Sequence, residues 1–249
     1  MKRLSKSVIY VERRSDKDIL SRWFPDISFE RVAGEKNLQR KLDATSASWG
    51  IKDRDFATQV EVDAAKTNRL TILQRYCIEN YLLEPSAIAS VAQKFEKSYP
   101  VLSNWTNEAY VQQNLFKWAK EVESYAAANV LIYRWRQIIE GDFLKYLGPL
   151  PAISYEDVLA ELQGRLRQLP SANDIEQQFE KSKLQVSQDI VTLDGVHQWI
   201  NGKVLLDEIL YQRVFKLHNF GHARLRDELI EVGKNKIPDE LVHLAKKWQ

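Results

Sequence analysis

Acidic residues follow two apolar segments near the start of the chain, in a pattern suited to metal-dependent chemistry on phosphates. Glu12 follows the apolar run 7–11, and Asp53 and Asp55 follow the run 49–52. Each pair of carboxylates held about 5 Å apart repels by roughly 3 kcal/mol at an effective dielectric constant of 20, so three gathered together require a cation. Mg²⁺ prefers hard oxygen ligands of this kind. The pattern therefore predicts a divalent-metal site.

The spacing of a further carboxylate fits the same site. Asp16 lies four residues after Glu12, in the first turn of a predicted helix, so the strand-to-helix turn can direct both side chains at one ion. Asp53 and Asp55 occupy alternate positions, which face the same side in extended backbone. Two ions about 4 Å apart would hold the attacking and leaving oxygens of a phosphodiester displacement. The alternative, that an Asp-X-Asp is simply a pair of solvated loop charges, stays open.

The elements that must position these residues alternate along about the first eighty positions. We predict four strands, at residues 7–11, 27–32, 49–53 and 70–73. Helical patterns between them begin near Ser15, as the predicted N-cap, and near Glu35. Strands separated by such helices form right-handed crossovers in a parallel sheet, and their carboxyl ends meet at one edge. The predicted fold class is α/β, with a mostly parallel sheet flanked by helices and a largely helical C-terminal portion.

From Glu79 onward the pattern is almost wholly helical. We predict helical segments at residues 79–96, 108–140, 155–169, 173–186, 203–217, 222–232 and 238–248. The run 148–151, Gly-Pro-Leu-Pro, is the predicted internal linker. We therefore predict a catalytic domain over residues 1–85 and a mainly helical accessory region over 86–249, packed on it and in part able to complete it.

Composition excludes several classes of protein. Lys and Arg number 36 against 34 Asp and Glu, which excludes a highly basic nucleic-acid coat but not a local basic groove. The single cysteine, Cys77, excludes an internal disulfide and a cysteine-rich zinc site. The chain has no phosphate loop of the Gly-X-X-X-X-Gly-Lys type, and hence no predicted ATPase of its own. With no long apolar run and no signal-peptide core, we expect no membrane partner and a cytoplasmic location.

The acidic segments resemble the signature motifs of a known family. Val11-Glu12-Arg13-Arg14-Ser15-Asp16, followed by Asp53-Arg54-Asp55-Phe56, resembles the two motifs of Toprim domains. These domains occur in topoisomerases, bacterial primases, maturase nucleases of ribosomal RNA, and the nuclease half of OLD-type (overcoming lysogenization defect) ATPase-nucleases. A third element, Ile78-Glu79-Asn80-Tyr81-Leu82-Leu83, is similar to the Glu-Asn-Tyr of a Toprim-like family found alone or beside such ATPases. The resemblance covers about residues 5–85 well and the remainder weakly.

The resemblance implies a role for each matching residue. Glu12 would be a metal ligand or general base, with Asp16 assisting. Asp53 and Asp55 would hold Mg²⁺ or Mn²⁺, and Glu79 would complete the shell of a second ion. For Glu79 the alternative is an acid that merely favours the positive end of a helix.

Two basic residues bear on the same prediction. Lys203, in the turn Asn201-Gly202-Lys203, is similar to the downstream lysine of OLD-type nucleases and could stabilise developing negative charge on a phosphate. Its alternative is an exposed lysine at a helix start. Arg13 stands where the family commonly has glycine, which puts a close backbone approach to phosphate in doubt, although an arginine can itself bind phosphate.

Together these features predict a metal-dependent nuclease that hydrolyses phosphodiester bonds of DNA or RNA. The resemblance further implies a role in defence or nucleic-acid processing, with a partner ATPase. A catalytically silent Toprim-like adaptor and a primase-like nucleotidyl transferase are the alternatives. The segment 133–136, Tyr-Arg-Trp-Arg, interleaves basic and aromatic residues as single-strand binders do, although on a helix its aromatic residues would more often face the core.

Overall fold

A four-stranded parallel sheet forms the N-terminal part of the molecule. The computed structural model describes residues 8–44, 48–65, 69–138, 154–166 and 175–248. The strands are β1 (Val8–Val11), β2 (Ser28–Arg31), β3 (Trp49–Lys52) and β4 (Leu70–Ile72), in the order β2-β1-β3-β4. All three pairings are parallel, so the carboxyl ends of the four strands share one edge. The predicted α/β class with a parallel sheet is confirmed.

Apolar residues fix the two central strands and the helices that cross between the strands. Ile9 and Val11 of β1 are fully buried, as expected for a strand covered on both faces. The crossovers are α1 (Arg14–Trp23), α2 (Glu35–Ala44) and α3 (Gln59–Ala65), of which α3 was not predicted. Gly50 lets α2 lie close to the sheet, since a Cβ there would come within 3.1 Å of Leu38 and Leu42.

The rest of the described chain is helical, as predicted. The α-helices are α4 (Pro85–Phe95), α5 (Glu108–Glu121), α6 (Glu123–Ile138), α7 (Tyr155–Leu166), α8 (Ile175–Asp189), α9 (Leu193–Trp199), α10 (His222–Lys234) and α11 (Asp239–Trp248). Three 3₁₀ segments, Ile78–Leu82, Pro100–Thr106 and Lys216–His218, and a π-helix, Val204–Phe215, complete the set.

Three details of the helical part differ from the prediction. The single helix predicted over 108–140 is two helices, because the backbone at Val122 leaves the helical region, with φ −105° and ψ 9°. Helix α9 was not predicted, and the segment 204–215 is wound as a π-helix. The predicted linker at 148–151 lies outside the described residues.

The helical part packs directly on the sheet region. One buried apolar cluster contains residues from both, including Ile9 and Val11 of β1 and Leu229 of α10. The indole Nε1 of Trp23 in α1 donates a hydrogen bond of 2.9 Å to the carbonyl oxygen of Ile230 in α10. Among the described residues, no helix combines the length and the apolar character that crossing a membrane requires.

Candidate active site

Asp53 is the most unusual carboxylate in the structure. It follows β3, its exposed fraction is 1%, and neither Oδ1 nor Oδ2 accepts a hydrogen bond. The guanidinium Nε of Arg13 lies 3.4 Å from Oδ2. Burial raises the pKa of Asp53 well above its usual value, and the charges of Asp16, Asp55 and Glu79 add to the rise while Arg13 opposes it. Asp53 is therefore a desolvated carboxylate at the centre of other acids.

The start of α1 positions Asp16 beside it. The backbone N–H of Arg13 donates a hydrogen bond of 2.9 Å to Oδ2 of Asp16, which is 4% exposed. The prediction that Ser15 caps this helix is wrong: Arg13 is the N-cap, because the carboxylate of Asp16 at the third helical position accepts its N–H. Burial raises the pKa of Asp16, and the nearby charge of Glu79 contributes to that rise.

Asp55 reaches the site by a different backbone path from the one predicted. Strand β3 ends at Lys52, and Asp55 has a φ of +48°, so the segment is not extended and the argument from alternate positions is wrong. The N–H of Asp55 donates to the carbonyl oxygen of Tyr76 at 2.9 Å, which holds the turn. Burial raises the pKa of Asp55, against the charges of Arg13 and Lys52. Asp55 still acts electrostatically on Asp53.

Glu12 emerges from the neighbouring strand. Val11 pairs with Ile51 in the parallel register, so Glu12 leaves β1 beside Lys52 of β3. Burial raises the pKa of Glu12 to about 7, with Asp55 also raising it and Lys52 opposing. A carboxylate with that pKa exchanges its proton near neutrality, which is the property of a general base.

Glu79 is fully buried on the 3₁₀ helix Ile78–Leu82 and is paired with cations from the distant C-terminal part. Its Oε1 lies 3.6 Å from Nζ of Lys203 and 3.2 Å from Nη2 of Arg226, whereas its Oε2 accepts no hydrogen bond. Burial raises the pKa of Glu79, but the two cations outweigh it and the net pKa is lowered. The structure thus brings Lys203 to the acidic residues, as the resemblance implied. Arg226, which also binds Asp207 at 3.1 Å, was not predicted.

Hydrogen bonds of Asn80 hold the turn before Lys203 against the 3₁₀ helix that carries Glu79. Its Oδ1 accepts the N–H groups of Cys77 and Gly202, at 3.1 and 3.0 Å, and its Nδ2 donates to the carbonyl oxygen of Ile200 at 2.9 Å. A Cβ on Gly202 would lie 2.5 Å from the backbone nitrogen of Asn80, so the turn before Lys203 requires glycine. The sequence feature that could have identified Asn80 as a structural residue of the site is its position in the middle of the Glu-Asn-Tyr element.

The carboxylate oxygens of these acids are the ligands that a hard divalent cation prefers, but their side chains are not arranged as a metal site. Among the residues that the structure describes, no three His, Cys, Asp or Glu side chains stand close enough together to hold a metal ion. Arg13 lies against Asp53, and Lys203 and Arg226 lie against Glu79, so protein cations already occupy positions beside two of the acids. Both oxygens of Asp53 and Oε2 of Glu79 nevertheless lack hydrogen-bond donors, which leaves them available to a cation.

Comparison with known proteins does not assign the chain to a family. No protein-family model matches the sequence, and no curated protein matches it either. The likeness to Toprim domains therefore depends on the motif residues, and the functional argument depends on the geometry of the site.

Proposed function

We propose that this protein is a divalent-metal-dependent nuclease that hydrolyses phosphodiester bonds of DNA or RNA. The observation that carries the proposal is the buried Asp53 carboxylate, whose two oxygens have no hydrogen-bond donor although other acids surround it. Burying such a charge is expensive unless a partner compensates it, and strongly perturbed carboxylates concentrate at functional sites. A bound cation would compensate Asp53 and its acidic neighbours together.

Each acid has a role in this proposal. Asp53 and Asp55 would hold Mg²⁺ or Mn²⁺, with Asp16 and Glu79 as the further oxygen donors. When bound, such a cation lowers the pKa of water and neutralises charge on the phosphate. Glu12 accepts the proton of the attacking water, a task for which its pKa of about 7 is suited.

Two cationic side chains complete the proposed chemistry. Lys203, held near Glu79 by the Gly202 turn, donates hydrogen bonds to the phosphate oxygens as their negative charge develops. The side chain of Arg13 is 40% exposed, so its guanidinium is accessible to a phosphate oxygen of the substrate. Its planar fork matches phosphate geometry. On this view the arginine that replaces the family's glycine is a substrate ligand.

A specific observation also favours the adaptor alternative. In the described structure Arg13 already pairs with Asp53, and the acids do not form a metal-ready group. A catalytically silent Toprim-like adaptor would retain this arrangement permanently and use its helical part to bind a partner ATPase. The adaptor predicts no dependence on divalent metal. A cytoplasmic location, a role in defence or nucleic-acid processing, and the partner ATPase itself remain proposals that follow from the sequence.

The test is cleavage of circular single-stranded DNA, plasmid DNA and structured RNA in Mg²⁺ or Mn²⁺, with EDTA as the metal-free arm. Asp53→Asn should abolish cleavage while the fold is retained. The exposed Asp26 provides the matched control, and Asp26→Asn should cleave like the wild type. Metal-independent cleavage, or equal cleavage by Asp53→Asn, would refute the proposal.

A further inference from the structure

A cleft opens beside the acidic turn, on the side of helices α6, α8 and α9. Its volume is about 510 Å³, and its wall includes Arg54 and Phe56, which alternate in sequence with Asp53 and Asp55. Cavities of roughly 300–1,000 Å³ are the usual size of small-molecule sites, so a nucleotide fits this volume. The cleft and the candidate active site therefore share one short loop.

Aromatic side chains line the cleft. Phe56 and Trp199 are almost buried, whereas Tyr133 is half-buried, with its ring centroid 6.2 Å from that of Phe56. Of the two residues that follow Tyr133, Arg134 also lines the cleft, whereas Trp135 lies in the core, where its indole N–H donates a hydrogen bond to Gln178. Tyr133 is the most exposed of the three, and an aromatic ring that a ligand can reach binds nucleic-acid bases by stacking, whatever the sequence.

The cleft also contains positive charge that no carboxylate neutralises directly. Arg54 is 4% exposed, and its Nε and Nη1 donate to the carbonyl oxygens of Ala57 and Gln74 at 3.0 and 2.9 Å. Within the described residues Arg54 makes no ion pair, and burial lowers its pKa. Arg134 is exposed and donates to the amide oxygen of Gln185 at 2.7 Å. Arg54 therefore contributes positive charge and its remaining Nη2 donors, whereas the exposed guanidinium of Arg134 suits direct contact with a phosphate.

Amide side chains supply the remaining polar surface. Gln59, Gln185 and Gln198 all line the cleft. The amide of Gln198 offers both donors and an acceptor to the edge of an unpaired base, whereas the oxygens of Gln59 and Gln185 already accept from Arg54 and Arg134, at 3.5 and 2.7 Å. The one acid in the wall, Glu61, is turned to the start of α3, where it accepts from N and Oγ1 of Thr58 at 2.6 and 2.8 Å.

An electrostatic interaction links Tyr133, in the wall of the cleft, to Lys52 of β3. Burial acts to lower the pKa of Lys52, but the hydrogen bond and charge of Glu35 and the charge of Glu12 outweigh burial, so the net pKa is raised. Tyr133 also contributes to this rise. Tyr133 is thus near enough to Lys52 to influence it, and Lys52 lies beside Glu12. A ligand in the cleft would lie against the loop that carries Asp53 and Asp55, because Arg54 and Phe56 of that loop line the cleft.

We propose that this cleft binds an unpaired nucleotide of the substrate, next to the phosphate to be cleaved. Its base would stack on the aromatic residues and contact the glutamines, and its phosphate would contact Arg54 and Arg134. A base inside a duplex is paired and stacked, and extracting it costs free energy. The protein should therefore prefer single-stranded nucleic acid or single-stranded ends. The position beside the scissile phosphate rests on the proposed nuclease function, whereas the binding itself does not.

The test measures binding separately from cleavage. Fluorescence anisotropy of labelled 12-nucleotide DNA and RNA strands and of the matched DNA duplex, in EDTA and again in Ca²⁺, gives the dissociation constants. Tyr133→Leu and Arg134→Ala should each weaken single-strand binding by about tenfold, the scale of losing one stacked base or one phosphate contact. Arg213→Ala, which removes an arginine paired with Glu121, is the matched control and should change nothing.

The outcomes separate this proposal from the nuclease proposal. Single-strand binding that depends on Tyr133 and Arg134, without cleavage by any variant, would support the cleft and refute the nuclease. Metal-dependent cleavage with equal binding by wild type, Tyr133→Leu and Arg134→Ala would refute the cleft alone. Duplex bound as tightly as single strand would also overturn the cleft proposal. Tighter binding of the DNA or the RNA strand would identify the sugar.

Discussion

At the scale of single residues, Asp53 is a carboxylate whose burial disfavours its charged form. Its carboxylate is buried without a hydrogen-bond donor, and Arg13 compensates it only from one side. A native protein retains such a group where it serves a ligand, because an unsatisfied buried polar atom costs stability. The sequence allowed Asp53 to be predicted, since it directly follows a recognisable strand. It could not reveal the Arg13 contact, which depends on how the start of α1 turns back toward β3.

Asp53→Asn should stabilise the metal-free protein. Burial and the charges of Asp16, Asp55 and Glu79 disfavour a negative charge here, so the neutral amide should raise the free energy of unfolding by about 1–3 kcal/mol, the scale of one repulsion between nearby carboxylates. Denaturant unfolding in EDTA measures it. Asp26→Asn, at an exposed position, should leave the unfolding midpoint unchanged. An Asp53→Asn protein that is less stable than wild type in EDTA would contradict this account of the acidic cluster.

His197 provides a pH-dependent test away from the acids. It is 1% exposed, neither ring nitrogen has a hydrogen-bond partner, and burial with the charge of Arg75 lowers its pKa well below 6.5. Below pH 6.5 the imidazole of His197 binds a proton in the unfolded chain but not in the native state. His197 therefore makes the free energy of unfolding fall as pH falls.

His197→Gln should flatten that part of the pH profile. The difference in free energy of unfolding between wild type and variant should be constant above pH 7.5 and move in favour of the variant between pH 6.5 and 5. Urea titrations at several pH values measure it. His243→Gln, at an exposed position, should give a profile parallel to the wild type. A parallel profile for His197→Gln as well would show that His197 titrates normally in the native state.

At the scale of elements, the four strands and the first two crossover helices followed from the sequence, but the third crossover helix and the turns that carry the site did not. Helix α2 begins at Glu35, as predicted, and its buried residues Leu38 and Leu42 lie at helical spacing. Helix α3 was missed: it is short and only Val62 within it is buried. The left-handed backbone at Asp55 depends on a hydrogen bond to Tyr76, a contact between segments that no local pattern shows.

The turn before Lys203 can be tested by adding one methyl group. Gly202→Ala places a Cβ against the backbone of Asn80, so we expect a loss of about 1–3 kcal/mol in unfolding free energy and a displaced Lys203. Cleavage should fall accordingly. Gly164→Ala is the matched control: a Cβ there meets nothing within 4 Å, and alanine favours helix α7, so stability should stay equal or rise. Equal stability for Gly202→Ala and wild type would contradict the close approach of Asn80 and Gly202.

At the scale of the whole molecule, the site is built from both ends of the chain. Asn80 is bonded to the turn at Gly202, and Oη of Tyr81 donates to Oε2 of Glu240 at 2.6 Å. The sequence predicted a helical accessory region but could not show which of its residues return to the acids. That information lies in packing between distant segments, and Arg226 is the clearest example.

Because of this construction, a fragment of residues 1–85 should not fold alone. It would lose the α10 and α11 contacts of Trp23 and Phe29, whose ring lies edge-on to Trp248 with centroids 6.1 Å apart. The intact chain should unfold in a single cooperative step because one apolar cluster spans both parts. Circular dichroism melts of both proteins test this. A cooperative melt of the fragment would show that the helical part is an independent addition.

The most direct test of the central claim is Mn²⁺ binding followed by electron paramagnetic resonance, with wild type, Asp53→Asn and Asp26→Asn compared side by side. If the buried acids form a divalent-metal site, wild type and Asp26→Asn should bind Mn²⁺ and be stabilised against heat by it, because a ligand of the native state raises the melting temperature. Asp53→Asn should lose both effects. Equal Mn²⁺ binding by all three proteins, or none by wild type, would contradict the account and leave Arg13 as the permanent partner of Asp53.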